Sequence, residues 1–334
     1  MSRLLLLFFF SFSFFSPVFS RETKDNAALV YLNIWNELPH VDWLKLESDY
    51  QDVRKNLWNN KYQNLETLFQ ENKKIFSQFK KAASMDYCDF FENVDTTKTA
   101  EYDLPVSMDQ FKTFFRLIIL NIKKLEALNK SPEAFEYALG LLKFSFQISS
   151  GPTPPSFPIY GKGLLIRKEL FEYFSAFEEK NQIIKDNINI IENYIFKTYT
   201  MKNIIEFEFA LIIRKLHELF ENEKEIAVFL NAHNIDSVLS RADILNEAEA
   251  NLKKLYQRWI NAAEKENIAE FQNIGQEVSS KYPESYGEKL DNIEQASKAV
   301  IAVSVLPWQS SFENDSNVRL KYKQLISKYQ KEIN

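Results

Sequence analysis

Six glycines in 334 residues, with no Asn-Gly or Asp-Gly pair among them, are the tightest constraint that this sequence places on its fold. β-Hairpins draw their short connections from such pairs, because the favoured turns need positive φ at their central residues. Apolar residues recur at intervals of three and four rather than two, as in Ile184, Ile188, Ile191 and Ile195, and again in Ile205, Phe209, Ile212, Leu216 and Phe220. That is the period of an amphipathic helix. The nine prolines after Pro17 fall where helices would begin, end or be joined. The expectation is an all-α fold of roughly ten helices, arranged as stacked antiparallel hairpins or an elongated bundle.

Capping chemistry sharpens individual elements. Ser107 is followed three residues later by Gln110, the arrangement in which each side chain satisfies a free amide of the other. Phe111, Phe114, Phe115, Ile118, Ile122 and Leu125 then form one apolar face. Ser131 and Pro132 open the next helix, since a proline in the first turn gives up an N–H that has no partner there. With only a short connection between them, these two helices read as an antiparallel hairpin. One helix is expected over 64–83, the longest over 236–266, and a last one over 317–332, preceded by a polar loop containing Trp308.

The first residues, MSRLLLLFFFSFSFFSPVFS, place Arg3 before an apolar run from Leu4 to Phe15. That is the layout of a secretory signal peptide, with Val18 and Ser20 suiting cleavage before Arg21. The run is short of the roughly 20 apolar residues that span a bilayer, so the membrane is a partner only if the segment is retained. The chain is therefore expected to be exported, into a periplasm or the medium. Formal net charge is −5, and the charges are interleaved rather than blocked. Nucleic acid, which needs a basic face, is not an expected partner.

The clearest interruption is SSGPTPPSFPIYGKG, residues 149–163, with four prolines and three glycines. It reads as irregular, either a linker between two helical layers or a loop laid across a groove. The corresponding division is a signal peptide over 1–20, an N-terminal layer over 21–148, the linker or loop, and a C-terminal layer over 164–334. One continuous domain over 21–334 is the alternative.

Few residues suggest chemistry. No G-x-S-x-G turn is present, and only His40, His217 and His233 could supply a base. His217 and Glu218 open like a zinc-binding H-E-x-x-H, but the fifth position is Glu221. The Glu-x-x-His pairs of di-iron bundles do not occur on two helices, and no C-x-x-C-H is present. No cofactor is expected. YGKGLL could set Lys162 beside the free amides of a helix start, which makes Tyr160 and Lys162 candidate binding residues, although the full phosphate-loop pattern is missing. Trp308 is the aromatic side chain least explained by a helix core, and so the best candidate contact residue.

The single cysteine, Cys88, sits in SMDYCDFFENVD. Asp86, Asp89, Glu92 and Asp95 recur every third residue, which on a helix gathers them on one side and leaves Cys88 with Phe91. Neighbouring carboxylates raise a thiol pKa, so Cys88 reads as a buried free thiol rather than a nucleophile. Any chemistry there belongs to a hard cation held by Asp86, Asp89 and Glu92.

Four stretches, NAALVY, YCDFFENVD, LPVSMDQFKTFFRL and VSVLPWQSSFENDSNVR, resemble a group of exported or membrane-tethered helical proteins from planctomycete-type bacteria. The resemblance implies an all-α exported protein and assigns no catalytic residues. Three functions follow in order of support: a non-catalytic binding or scaffold protein for a protein or peptide, a carrier of an apolar small molecule, and a metal-dependent or hydrolytic enzyme.

Overall fold

A computed structural model gives the structure and describes residues 26–38, 43–56, 58, 62–90, 92, 104, 106–150, 154–175, 181–282, 289–305 and 308–333. The expected signal peptide lies outside these. Among the described residues the chain is all-α with no strand, and the only pairing of extended backbone is an isolated bridge between Ile235 and Leu290. No helix of the described residues is long and apolar enough to cross a membrane.

The described residues form two compact units, one from 201–313 and the other from 26–200 with 314–333. The larger holds α1 (Ala27–Glu37), α2 (Trp43–Asn56), α3 (Gln63–Glu71), α4 (Lys73–Ser84), α5 (Met108–Ala127), α6 (Ser131–Ser149), α7 (Phe157–Ser175) and α8 (Asn181–Phe196). The smaller holds α9 (Met201–Glu221), α10 (Glu223–Ala232), α11 (Arg241–Glu264), α12 (Ile268–Lys281) and α13 (Ile293–Ser304). The division between units falls inside α14 (Trp308–Ile333), the longest helix at 26 residues.

In the larger unit α6 is central, packing on α4, α5, α7 and α8. Its neighbours bring an aromatic cluster together: Tyr31 lies 4.5 Å from Phe144 between ring centres, Phe114 lies 5.5 Å from Phe144, and Trp35 lies 5.5 Å from Phe90. Each such side chain contributes roughly 1.5–3 kcal/mol by leaving water, so this cluster is a main source of cohesion. In the smaller unit α11 is central, against α9, α12 and α13. There Phe271 and Phe312 stack at 4.1 Å.

The capping box forms as the sequence implies: Gln110 N donates to Ser107 Oγ and Ser107 N donates to Gln110 Oε1, both at 3.1 Å. Several expectations need correction. The 64–83 stretch is broken into α3 and α4 at Asn72, whose side-chain amide donates to the Leu68 carbonyl at 2.7 Å. α10 and α12 were not anticipated, and Asn222, which caps α10 by accepting from Lys224 and Glu225, is the local signal for the first of them.

The larger correction concerns residues 149–163. Ser149 ends α6 and α7 begins at Phe157, so only 150 and 154–156 are irregular among the described residues of this stretch. Pro158 is tolerated because it falls in the first helical turn. Gly161 and Gly163 are helical, and α7 packs directly on α6 inside the same unit, so the stretch does not separate two layers at 148 and 164.

Gly163 serves proximity rather than turning. A Cβ there would stand 2.3 Å from Ser149 Oγ and 3.2 Å from the Ser145 carbonyl. Helix interiors disfavour glycine by roughly 1 kcal/mol relative to alanine, yet here alanine would collide with α6. We expect Gly163→Ala to lower stability by about 1–3 kcal/mol, as overpacking does, and Ser149→Ala to relieve part of that loss in the double variant. Chemical denaturation of the four proteins checks this.

Candidate functional site

On α7, Tyr160, Gly163 and Arg167 follow one another at three and four residues, which puts them on one face. On α14, Asp315, Arg319 and Tyr322 do the same at four and three. The segment after α8 adds Thr198 and Tyr199, and the end of α6 adds Ser149. These elements enclose a polar cluster within the larger unit: Tyr160 and Tyr322 are fully buried, Arg167 is 1% exposed, and Asp315 and Thr198 are 5% exposed.

Hydrogen bonds tie the cluster together. Arg319 Nε donates to both carboxylate oxygens of Asp315 at 3.1 and 3.0 Å, and its Nη2 donates to Thr198 Oγ1 at 2.9 Å and to the Tyr199 carbonyl at 3.0 Å. Arg167 Nη1 donates to the same Thr198 Oγ1 at 3.0 Å, while that hydroxyl donates to the Ile195 carbonyl at 3.0 Å. Thr198 thereby uses both lone pairs and its proton. The Tyr322 hydroxyl donates to the Arg167 carbonyl at 3.0 Å, and the Arg167 guanidinium lies 5.2 Å from the centre of the Tyr160 ring.

The electrostatics follow from burial. Burial opposes the charge on Arg319, yet Tyr160 and Asp315 hold its pKa above the ordinary guanidinium range. Burial lowers that of Arg167, against the pull of Tyr160 and Asp315. Burial, then Asp315, raises the Tyr160 phenol, so it stays protonated at neutral pH and cannot act as a base. The result is a site rich in donors and in positive charge, with one carboxylate between two guanidiniums.

The residues singled out by sequence are placed differently from the expectation. Tyr160 and Lys162, taken for an accessible helix entry, are both buried in α7, at 0% and 3% exposure. Tyr160 joins the cluster, while the Lys162 ammonium lies 5.8 Å from the centre of the Phe111 ring. Trp308 is not in a loop; it begins α14, is 1% exposed, and meets Tyr256 edge-on at 6.3 Å. A side chain so enclosed is core, not a contact residue. His217 faces Glu249 on α11 at 3.1 Å rather than Glu221, and His233 leans on Phe229 at 4.5 Å with its pKa lowered by burial.

The acidic segment around Cys88 is not helical, so its three-residue repeat does not define a face. Asn26, the cap of α1, organises it instead. Its Oδ1 accepts from Ala28 N and Asp89 N, both at 3.0 Å, and its Nδ2 donates to the Asp89 carbonyl and to Glu92 Oε2, both at 2.9 Å. Asp86 pairs with Lys143 at 3.0 Å. Asp86, Asp89 and Glu92 therefore do not converge, and no group of three or more His, Cys, Asp or Glu among the described residues is placed to hold a metal. Cys88 is buried in the core as anticipated, and burial followed by Asp89 pushes its thiol pKa well up. Phe91 and Asp95 lie outside the described residues.

Arg167, Asp315 and Arg319 were missed by sequence reasoning. The available signal was Asp315 and Arg319 at i and i+4, a spacing that surface helices use so often that it does not announce burial. Comparisons with protein-family models, with curated proteins and with solved structures return no match.

Two outcomes test this assignment. Asp315→Asn leaves two buried guanidiniums without a counter-charge and should cost about 3–5 kcal/mol by urea denaturation. Cys88 in the native protein should react with a maleimide far more slowly than in urea, since its thiolate is both shielded and disfavoured.

Proposed function

We propose that the chain is an exported, non-catalytic helical protein that binds or scaffolds a protein or peptide. The observation that carries the reading is Val238, 89% exposed on the connection between α10 and α11. That connection is pinned on both sides: Asp236 N donates to the Leu290 carbonyl and Leu290 N donates to the Asn234 carbonyl, each at 2.8 Å. Lys289 pairs with Asp236 at 2.7 Å, and Asp236 Oδ1 accepts from Val238 N at 3.1 Å. An apolar side chain held out on a fixed frame loses little freedom when a partner covers it, which is the economy of a preorganised binding surface.

Other features agree. The groups that suggested chemistry are engaged in holding helices together, as Asp86 is by Lys143 and Glu92 by Asn26. The resemblance to exported helical proteins of planctomycete-type bacteria points to the same compartment. On this reading the consecutive contacts of α5, α6 and α7 form stacked hairpins that serve as a rigid frame.

The test compares wild type with Val238→Asp as baits for the exported fraction of the source cell. The variant should keep its circular dichroism spectrum and melting temperature, because the side chain is solvent-exposed, and should bind the recovered protein at least about tenfold more weakly, as loss of an apolar anchor does. Equal binding by both baits would refute the reading.

A further inference from the structure

Arg167 carries more hydrogen-bonding capacity than its surroundings use. Its Nη1 is taken by Thr198, but its Nε and Nη2, both buried, have no partner. Those two nitrogens form one edge of the guanidinium, the edge that meets the two oxygens of a carboxylate or phosphate with parallel hydrogen bonds. Ser149 Oγ, also buried, is likewise without a partner. Ser149 Oγ and Arg167 Nη2 border the same spot, because a Cβ on Gly163 would stand 2.3 Å from the first and 3.7 Å from the second. Gly163 thus brings the two donors close together, with no side chain of its own between them.

The charge account agrees with the geometry. The charged groups that act on Arg167 are Asp315, which favours its cationic form, and Arg319, which opposes it. Asp315 is already bound by Arg319 through both oxygens. One positive charge therefore remains in a buried site, a condition that proteins seldom leave uncompensated. A water molecule would supply lone pairs but no charge. An anion supplies both.

We propose that the free edge of Arg167 and the hydroxyl of Ser149 form a binding site for one small oxyanion, a carboxylate, phosphate or sulfate. The site is independent of the surface around Val238, and its occupant also serves as the counter-ion that lets α6, α7 and α14 close around Arg167.

The experiment uses the full mature chain, first denatured in acid for ion chromatography and then, after refolding and dialysis into chloride, titrated calorimetrically with acetate, phosphate and sulfate at matched ionic strength. Wild type should either release about one equivalent of oxyanion or bind one of the three saturably at one site. Ser149→Ala, which removes one donor and no bulk, should weaken that binding about tenfold, the worth of one hydrogen bond. Arg167→Lys should abolish it, since an ammonium cannot present two parallel donors. Ser149→Ala folds without a steric demand, so the proposal stays testable if the lysine variant does not fold. Neither released nor titratable oxyanion in wild type overturns the proposal, as does binding of equal strength in Ser149→Ala. A melting temperature that rises alike in all variants with sulfate also overturns it, being the general exclusion effect of that salt.

Discussion

Asp315 is the carboxylate on which the larger unit turns. Its partner Arg319 reaches Thr198, Tyr199 and the Ile195 carbonyl, residues more than a hundred positions earlier in the chain. That contact secures the last part of α14 to the end of α8 and the segment that follows it. The same carboxylate tempers Arg167, and Tyr322 one turn further on accepts Arg167 into the fold by donating to its backbone carbonyl. A buried ion pair is a poor source of net stability, because desolvation offsets most of the attraction. Its value here is selectivity of register. Asp315 and Arg319 move together on α14, so its register is read by the bonds that Arg319 makes outside that helix, to Thr198 Oγ1 and the Tyr199 carbonyl.

Aromatic packing supplies the cohesion that the polar cluster does not. Tyr31 shows how the two are joined: its ring lies in the cluster with Phe144 and Phe114, and its hydroxyl donates to Gln147 Oε1 at 3.0 Å. Gln147 in turn donates to the Met85 carbonyl at 3.0 Å, at the start of the segment that carries Cys88. Asn26 fixes the other side of that segment. The acids near Cys88 are therefore structural, and the thiol is one more apolar member of the core.

The chain's economy with glycine has a specific mechanism. α5, α10 and α11 each end with a residue of positive φ, at Asn129, Asn234 and Glu266, and none of the three is glycine. In each case the following amide donates back across the turn: Lys130 to Leu125, Ile235 to Leu230 and Asn267 to Ala262, at 2.8–2.9 Å. This is the helix-ending motif that glycine usually serves. Asparagine tolerates the left-handed region because its short amide bonds locally, while Glu266 is held there by the two flanking bonds. Gly140 and Gly163 are spent instead where helices approach closely, Gly140 against Phe79 and Ala83.

Residue spacing by itself determined the helical class, because a 3.6-residue period is a local property and the chain lacks turn pairs for strands. It determined the capping box at Ser107 for the same reason, since that depends on residues close in sequence; Cys88 is buried although the helical face expected around it does not form. Helix ends at single asparagines, such as Asn72 and Asn222, were hard to read, because an asparagine inside a periodic stretch looks like an exposed position. The irregular reading of 157–163 failed because composition counts prolines and glycines without saying which turn of a helix they occupy. The polar cluster could only be decided by tertiary structure. Tyr160 and Arg167, Thr198, and Asp315 and Arg319 are separated by long intervals, and each alone reads as an ordinary helix residue. Their meaning comes from being enclosed together, where the loss of water turns five commonplace side chains into a site that has to balance its own charge.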